Sequence, residues 1–345
     1  MALFSIPNVK VAGISACVPR NTEDNLALEL LNENERELFV KTIGIRYRRI
    51  AERGTTASDL CMASAEKLIA HLEWNKNDIS VLVFVSQTPD FLIPFTACII
   101  QEKLGLNKNC LAFDINLGCS GYVYGLSVIA SLLQNMPDAK GLLLVGDCSS
   151  SVISKEDKSV VPLFSDAGSA TALQFSKDEL LHFNLQTDGK EFDDIIIRDG
   201  GMRSPLTADS MLYSEIEKGI HRNGLQMKLD GMKIFNFALR EVPTNVNDLL
   251  TFSNVKIDEI SGAYFHQANQ LMNERVRQKI GLPSEKTPYS LYDYGNTSSA
   301  SIPVTIAVKP INAKSVLLCG FGVGLSWGSA VADFSQTSIL PLEKI

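Results

Sequence analysis

Histidine is scarce in this sequence. There are four, His71, His182, His221 and His266, and none forms an HxxxH pair or joins a Cys/His cluster, so a structural zinc site is not expected. The seven cysteines (Cys17, Cys61, Cys98, Cys110, Cys119, Cys148 and Cys319) are odd in number and include no CxxC pair. A disulfide framework is therefore not expected, and a reducing compartment is. No uninterrupted apolar run reaches the ~18 residues that a bilayer demands. The stretch MALFSIPNVKVAGIS at the N-terminus has no basic segment ahead of its apolar residues. Neither a membrane span nor a signal peptide is expected, which leaves the cytoplasm. Positive charge is short as well: 32 Lys and Arg stand against 39 Asp and Glu, a net charge of −7. With no basic stripe, a nucleic-acid partner is not expected.

Apolar residues are plentiful. Of 345 residues, 45% are hydrophobic and only 21% charged, and the mean hydropathy is +0.07. That supplies a large core and a buried subunit interface, in two compact units or in one large unit built of two halves. Residues 9–14 read as a first strand and 22–40 as a charged, helix-periodic segment. In 57–72, Ala57, Cys61, Ala65, Leu68 and Leu72 share one helical face. Residues 79–85 (ISVLVFV) and 141–145 (GLLLV) are continuous apolar runs that suit strands buried on both faces. A helix over 96–104, a strand over 110–115 and a helix after Cys119 complete this half.

The two ends of the chain resemble each other. Residues from Asn77 match those from Asp258, Asp114 onward matches Asp293 onward, and Lys140 onward matches Lys314 onward. The three pairs are colinear and suggest an internal duplication of an α/β unit, although buried α/β strands look alike in any case. The division is placed at 1–176 and 177–345. Between the halves, about 186–231, lies a Gly-rich and charged stretch with TDGKEFDD, RDGGMRSP and HRNG. Its length suggests a lid or an interface insertion.

Cys119 sits in NLGCSGYVYGL, after an apolar stretch and before a helix. A free cysteine is commonly just a small buried hydrophobe. A helix start, however, offers unpaired N–H groups and a positive dipole end, which would lower a thiol pKa and hold negative charge. Gly118 and Gly121 would let a carbonyl come close. His266 ends an apolar strand-like run, where α/β sheets build sites; alone it could be a satisfied core imidazole. Asn296 lies in YGNTSSASIP and could be a turn or cap residue. Together, Cys, His and Asn form a recognisable set for nucleophilic chemistry.

The segments LGCSGYVYGL, FHQAN, YGNTSSASIP and GFGVGLSWGSA, with KTIGI and LFSDAGSATAL, resemble the β-ketoacyl-acyl-carrier-protein (ACP) synthase III group of thiolase-fold condensing enzymes. The resemblance spans residues 9 to about 332. It implies a thiolase-like five-layer αβαβα sandwich of two duplicated halves, usually a homodimer. It implies that Cys119 takes an acyl group from a CoA or ACP phosphopantetheine thioester. His266 and Asn296 would bind the carbonyl of a malonyl-ACP extender as CO2 leaves. The N–H groups of Cys119 and Gly324 would form the other oxyanion hole. Phe164 would be the aromatic beside the cysteine, and Ile93 a chain-length residue supplied to the partner's pocket. Lys158 and Asn269 would lie on the thioester-binding side. No metal or redox cofactor is implied.

The pattern also departs from its relatives. Leu38 stands where acetyl-CoA-using members have an adenine-stacking Trp, and Lys158 where they have Arg. This weighs toward a carrier-protein donor over CoA. Lys41, Arg46, Arg48, Arg49, Arg275 and Arg277 could form a basic patch for an acidic carrier, or an ordinary solvated face. The leading expectation is decarboxylative Claisen condensation, in fatty-acid or specialised lipid and secondary-metabolite biosynthesis. The alternatives are acyl transfer without decarboxylation and an inactive scaffold partner.

Overall fold

The computed structural model describes residues 2–345. Two long strands organise it: β1 (Ala2–Val18) and β5 (Asp166–Thr187), which pair antiparallel over almost their whole length, from Ala2↔Leu185 to Cys17↔Gly168. Register shifts at Pro7/Val9 and Val11/Gly13 interrupt the ladder. At one end, β5 continues into β4 (Lys140–Cys148), β2 (Ile79–Val85) and β3 (Leu111–Ile115). At the other it continues into β8 (Ser326–Ala332), β7 (Val316–Gly322) and β6 (Gly262–Phe265). Two sheets thus share β1 and β5. Residues 176 and 177, the expected border between halves, both lie inside β5.

The strands read as continuous apolar runs because both faces are covered. In β2, Val81, Val83 and Val85 face the central core, while Ile79, Leu82 and Phe84 face the outer one. Two helices lie between the sheets: α4 (Gly121–Leu133) and α7 (Ser301–Val308). They contribute Tyr122, Leu126, Ile129, Ile302 and Ile306 to the central core, and α7 has no polar face because both sides are buried. Helices α2 (Ala57–His71) and α3 (Thr96–Lys103) cover the outer face of one sheet. Helices α5 (Gly231–Ser253) and α6 (Gln270–Ile280) cover that of the other. The result is the five-layer αβαβα sandwich.

Two local expectations change. Residues 22–40 are not one helix: Thr22–Asp24 pairs with Tyr47–Arg49, and α1 spans only Glu33–Ile43. The reason is local side-chain competition for the backbone. Buried Asn25 donates to the carbonyls of Ile45 and Pro162, and a capping box between Asn32 and Glu35 starts the helix late. In the duplication, 79–85 and 140–148 do correspond to strands β6 and β7. The counterpart of β3, however, is a one-turn helix, Leu291–Tyr294. The Tyr292 carbonyl accepts from Arg46 N–H, and Arg49 lies over the Tyr294 ring, so this segment docks on 46–49 instead of the sheet edge. Segment 188–230 holds paired strands Ile195–Ile196 and Lys228–Leu229 and the hairpin strands Ser214–Glu217 and Ile220–Arg222.

Candidate active site

The loop from β3 delivers Cys119 two residues ahead of α4, where Gly121 N–H bonds the Gly118 carbonyl at 2.7 Å. The residue is 7% exposed and borders a cavity of about 340 Å³. Gly322, at the end of β7, lies flush against it with φ +156°; a Cβ there would stand 2.7 Å from Cys119 Cβ and 3.0 Å from Sγ. Only glycine allows this approach. The backbone N–H groups that neighbour the sulfur are those of Cys119 itself and Val323. Val323, one residue before Gly324, is therefore the second amide at the thiol. Gly324 has φ +134° and forms the turn that leads into β8.

The expected lowering of the Cys119 pKa is not found. Burial pushes the thiol up to about 11, and the charge of Asp147 adds to the effect. The Ser298 hydroxyl and the two N–H groups oppose it but do not win. Desolvation of a small buried anion outweighs a few donors.

His266 follows β6 directly, and its N–H bonds the Cys319 carbonyl at 2.7 Å. It is 2% exposed. Its Nδ1 shares a 2.8 Å hydrogen bond with Ser301 Oγ, and the Ser298 carbonyl is its other polar partner. Phe321 meets the ring edge-on at 5.5 Å. Burial lowers its pKa to about 3, so the imidazole is neutral. Asn296, 6% exposed, is fixed by its backbone to both neighbours of Phe164: its N–H bonds Leu163 O and its carbonyl accepts from Ser165 N–H, each at 2.9 Å. Its Oδ1 accepts from Ser298 N–H at 2.9 Å, while Nδ2 has only a 3.5 Å contact with Ala268 O. The amide N–H2 is thus left to donate elsewhere.

Phe164, Met227 and Ile195, Ile196 and Ile197 give the cavity apolar walls; Asp147, Ser298 and Val323 also line it. The 188–230 segment therefore reaches the thiol. A larger surface hollow, about 720 Å³ between Asp78, Lys140 and Gln174, is lined by no cysteine or histidine. Among the described residues, no group of three or more His, Cys, Asp or Glu could hold a metal.

The other expected residues lie apart. Ile93 is 89% exposed on the loop before α3. Lys158 is ion-paired with Glu35 at 3.8 Å and receives the hairpin through its N–H to Gly219 O. Asn269 caps α6, its side-chain oxygen accepting from Met272 N–H at 2.8 Å. The basic patch is smaller than expected. Arg48 is 2% exposed and bound to Glu23 and Asn25, and Arg277 is tied to Glu274. Lys41 and Arg275 remain on adjoining helices, since Gly44, which caps α1, packs on Gln270 at the start of α6.

Three residues of the site were missed from the sequence: Asp147, Ser298 and Val323. Asp147 left one signal, a carboxylate at the end of the apolar strand GLLLVGD. Ser298 and Val323 left none, because they act through a carbonyl, a hydroxyl and an amide that any residue in a polar turn could offer.

A buried thiol at a helix start between two sheets, with Ser298 at the thiol's cavity and Ser298 also bonded to the Asn296 side chain, is the arrangement of an acyltransferase of the thiolase fold. Sequence profiles described as 3-oxoacyl-[acyl-carrier-protein (ACP)] synthase III match residues 113–189, and those of its C-terminal part match 250–334. A beta-ketoacyl-[acyl-carrier-protein] synthase III from Clostridium perfringens is 33% identical, over 94% of this chain and 98% of that one. The crystal structure of a 3-oxoacyl-(acyl-carrier protein) synthase from Burkholderia xenovorans LB400 is 37% identical, with a TM-score of 0.92 over 99% of each chain. The chain belongs to the 3-oxoacyl-ACP synthase III family of condensing enzymes.

Proposed function

We propose that this protein condenses an acyl thioester with a malonyl-type thioester, carried by ACP, in two steps. Cys119 attacks the donor carbonyl and keeps the acyl group as a thioester. The N–H groups of Cys119 and Val323 receive the oxyanion of that attack. The malonyl carbonyl then lies against His266 and Asn296. As CO2 leaves, its electron pair moves into an enolate whose oxygen both donors stabilise. The carbanion carbon attacks the acyl-Cys119 carbonyl, and the thiolate leaves.

The observation that carries this reading is the neutral His266. A protonation-ready imidazole or a carboxylate pair would suit hydrolysis; two neutral donors, His266 held near pKa 3 and the free Asn296 amide, suit an oxygen that gains charge. Acyl transfer without decarboxylation would instead need His266 as a base, which its low pKa disfavours. The presence of all three residues argues against an inactive scaffold.

The donor we favour is a carrier-protein thioester. Leu38 is exposed and offers no aromatic face, and Lys158 is engaged with Glu35. Lys41 and Arg275 would meet the acidic carrier. Segment 188–230 acts as the lid through Ile195, Ile196, Ile197 and Met227. Exposed Phe91, Leu92, Ile93 and Phe95, beside α3 and the exposed Leu111 on edge strand β3, fit a homodimer in which a second copy covers them. Among the described residues no helix is long and apolar enough to cross a membrane, consistent with a cytoplasmic enzyme. The fatty-acid or specialised lipid product is set by pocket depth.

Intact-protein mass tests the first step, after exposure to acyl-CoA and acyl-ACP donors, with Cys119→Ala beside wild type. An adduct specific to wild type supports the mechanism; an adduct that persists in Cys119→Ala overturns it. Release of CO2 from malonyl-ACP separates condensation from simple transfer.

A further inference from the structure

The cavity at Cys119 is apolar only in part. Besides Phe164, Met227 and the isoleucines of 195–197, it is lined by Gln87, Thr88, Asn116, Asp147 and Ser149. These polar residues come from the ends of three neighbouring parallel strands: Gln87 and Thr88 follow β2, Asn116 follows β3, and Asp147 and Ser149 end and follow β4. A pocket meant for a plain hydrocarbon chain gains nothing from polar walls, because each group it covers must give up water.

Two of the five are occupied by the protein itself. Asp147 Oδ1 accepts from Gln87 N–H at 2.7 Å and Ser86 Oγ at 3.2 Å, and Oδ2 accepts from Ser299 N–H at 3.3 Å and Ser299 Oγ at 2.5 Å. Thr88 Oγ1 accepts from Cys148 N–H at 2.9 Å. Ser149 differs. Its neighbours in sequence are engaged, Ser150 Oγ with Asp166 and Ser151 Oγ with the Cys148 carbonyl at 2.7 Å. The Ser149 hydroxyl has no hydrogen-bond partner among the described residues, although the residue is only 3% exposed and lines the cavity. The Gln87 side chain is also without a partner among them. It lies against Gly118, the residue before Cys119, where a Cβ would collide with Gln87 Oε1. Two polar groups with unused hydrogen-bonding capacity, one of them almost fully buried, thus share the cavity with the thiol.

We propose that the acyl group loaded onto Cys119 carries a neutral oxygen substituent, a hydroxyl or a keto group, which Ser149 and Gln87 bind, a role that rests on Cys119 being the acyl carrier. A serine hydroxyl and a glutamine amide can each donate and accept, so together they satisfy a hydroxyl on both sides or donate twice to a ketone. Phe164, Met227 and residues 195–197 hold the carbon chain. The substituent takes no part in bond making: the Sγ–C bond forms, the bond from that carbon to the donor sulfur breaks, and the thiol proton leaves with the donor thiol. An unsubstituted chain of equal length would cover the Ser149 hydroxyl and the Gln87 amide without replacing the water they lose, and sites built this way reject the analogue that lacks the oxygen.

Charge narrows the class further. No Lys, Arg or His lines the cavity, so an acyl group ending in a carboxylate would be buried unpaired beside Asp147. An ammonium group fares little better, because both Asp147 oxygens already accept two hydrogen bonds each. A neutral oxygen is the substituent that Ser149 and Gln87 match.

The test is competitive acylation read by intact-protein mass. Equal mixtures of donors on one carrier, ACP or CoA, pair butanoyl with 2-hydroxybutanoyl, 3-hydroxybutanoyl, 3-oxobutanoyl and succinyl, and hexanoyl with its 2-hydroxy, 3-hydroxy and 3-oxo counterparts. Within each mixture the ratio of adducts measures relative kcat/KM and is independent of how much of a sample is folded. For wild type, at least one hydroxy or oxo donor is expected to outcompete the matching alkyl donor by about 10- to 100-fold, with succinyl the poorest. In Ser149→Ala and in Gln87→Met, which removes the amide and keeps the length, that ratio should fall toward one. Alkyl donors winning in wild type would overturn the proposal, as would succinyl winning. A ratio unchanged in both variants would overturn it as well, since the preference would then arise elsewhere. Failure of Cys119 as the acyl carrier would show separately, as no adduct from any donor in wild type or as adducts that persist in Cys119→Ala; an adduct formed without preference removes only the substrate class.

Discussion

Gly322 and Cys119 are in direct contact: a methyl group on Gly322 would stand 3.0 Å from Cys119 Sγ. The φ of +156° at Gly322 disfavours any side chain as well. Gly322→Ala should therefore displace the thiol or β7, at a stability cost of about 1–3 kcal/mol, and slow acylation at least tenfold. Thermal melts and acyl-adduct rates would measure the two effects. Full acylation by a folded Gly322→Ala would show that the thiol has more room than the backbone implies.

His266 should remain uncharged across the physiological range. Its pKa is about 3 when folded against an ordinary 6.5. The unfolded chain therefore binds the extra proton first as pH falls. The stabilisation this gives is fully present above pH 6.5 and is lost from there down toward pH 3. His266→Gln removes that dependence, so wild type should lose on the order of 3 kcal/mol more than the variant between pH 7 and 4. Urea unfolding at the two pH values would show it; parallel losses would mean that His266 titrates normally.

Asn296→Asp separates the two chemical steps. A carboxylate beside the forming enolate opposes decarboxylation, whereas Cys119 acylation does not use this amide. CO2 release from malonyl-ACP should fall by about 10²–10³-fold, with the adduct rate within a few-fold of wild type. Equal loss of both steps would remove Asn296 from the decarboxylation site.

Lys41→Glu and Arg275→Glu should raise the KM for ACP-bound donors and leave that for CoA-bound donors near wild type. The wild-type preference for ACP donors should weaken with salt, as exposed charge attraction does. An identical effect on both donors would place the carrier elsewhere.

Much of this protein was legible in its sequence because the relevant patterns are local. ISVLVFV is apolar throughout because β2 is covered on both faces, and GYVYGLSVIASLL because α4 lies between two sheets. The Cys119, His266 and Asn296 segments each place a polar or thiol side chain next to the turn that holds it. Residues 22–40 misled because Asn25 and Asn32 redirect the backbone through bonds to distant carbonyls and to the helix start. The patch was overcounted because Arg48 looks like any surface arginine until its burial is known.

The sequence by itself determined the buried strands and helices that build the sheets, since these depend on side-chain pattern along one element. Only the tertiary structure decided the electrical state of the site. Whether Cys119 is raised or lowered, and whether His266 is charged, depends on desolvation and on the through-space reach of Asp147, Ser298 and Val323. Those groups lie 28 to 204 residues away along the chain, and solvation and Coulomb energies are set by distance in space, which no local pattern encodes.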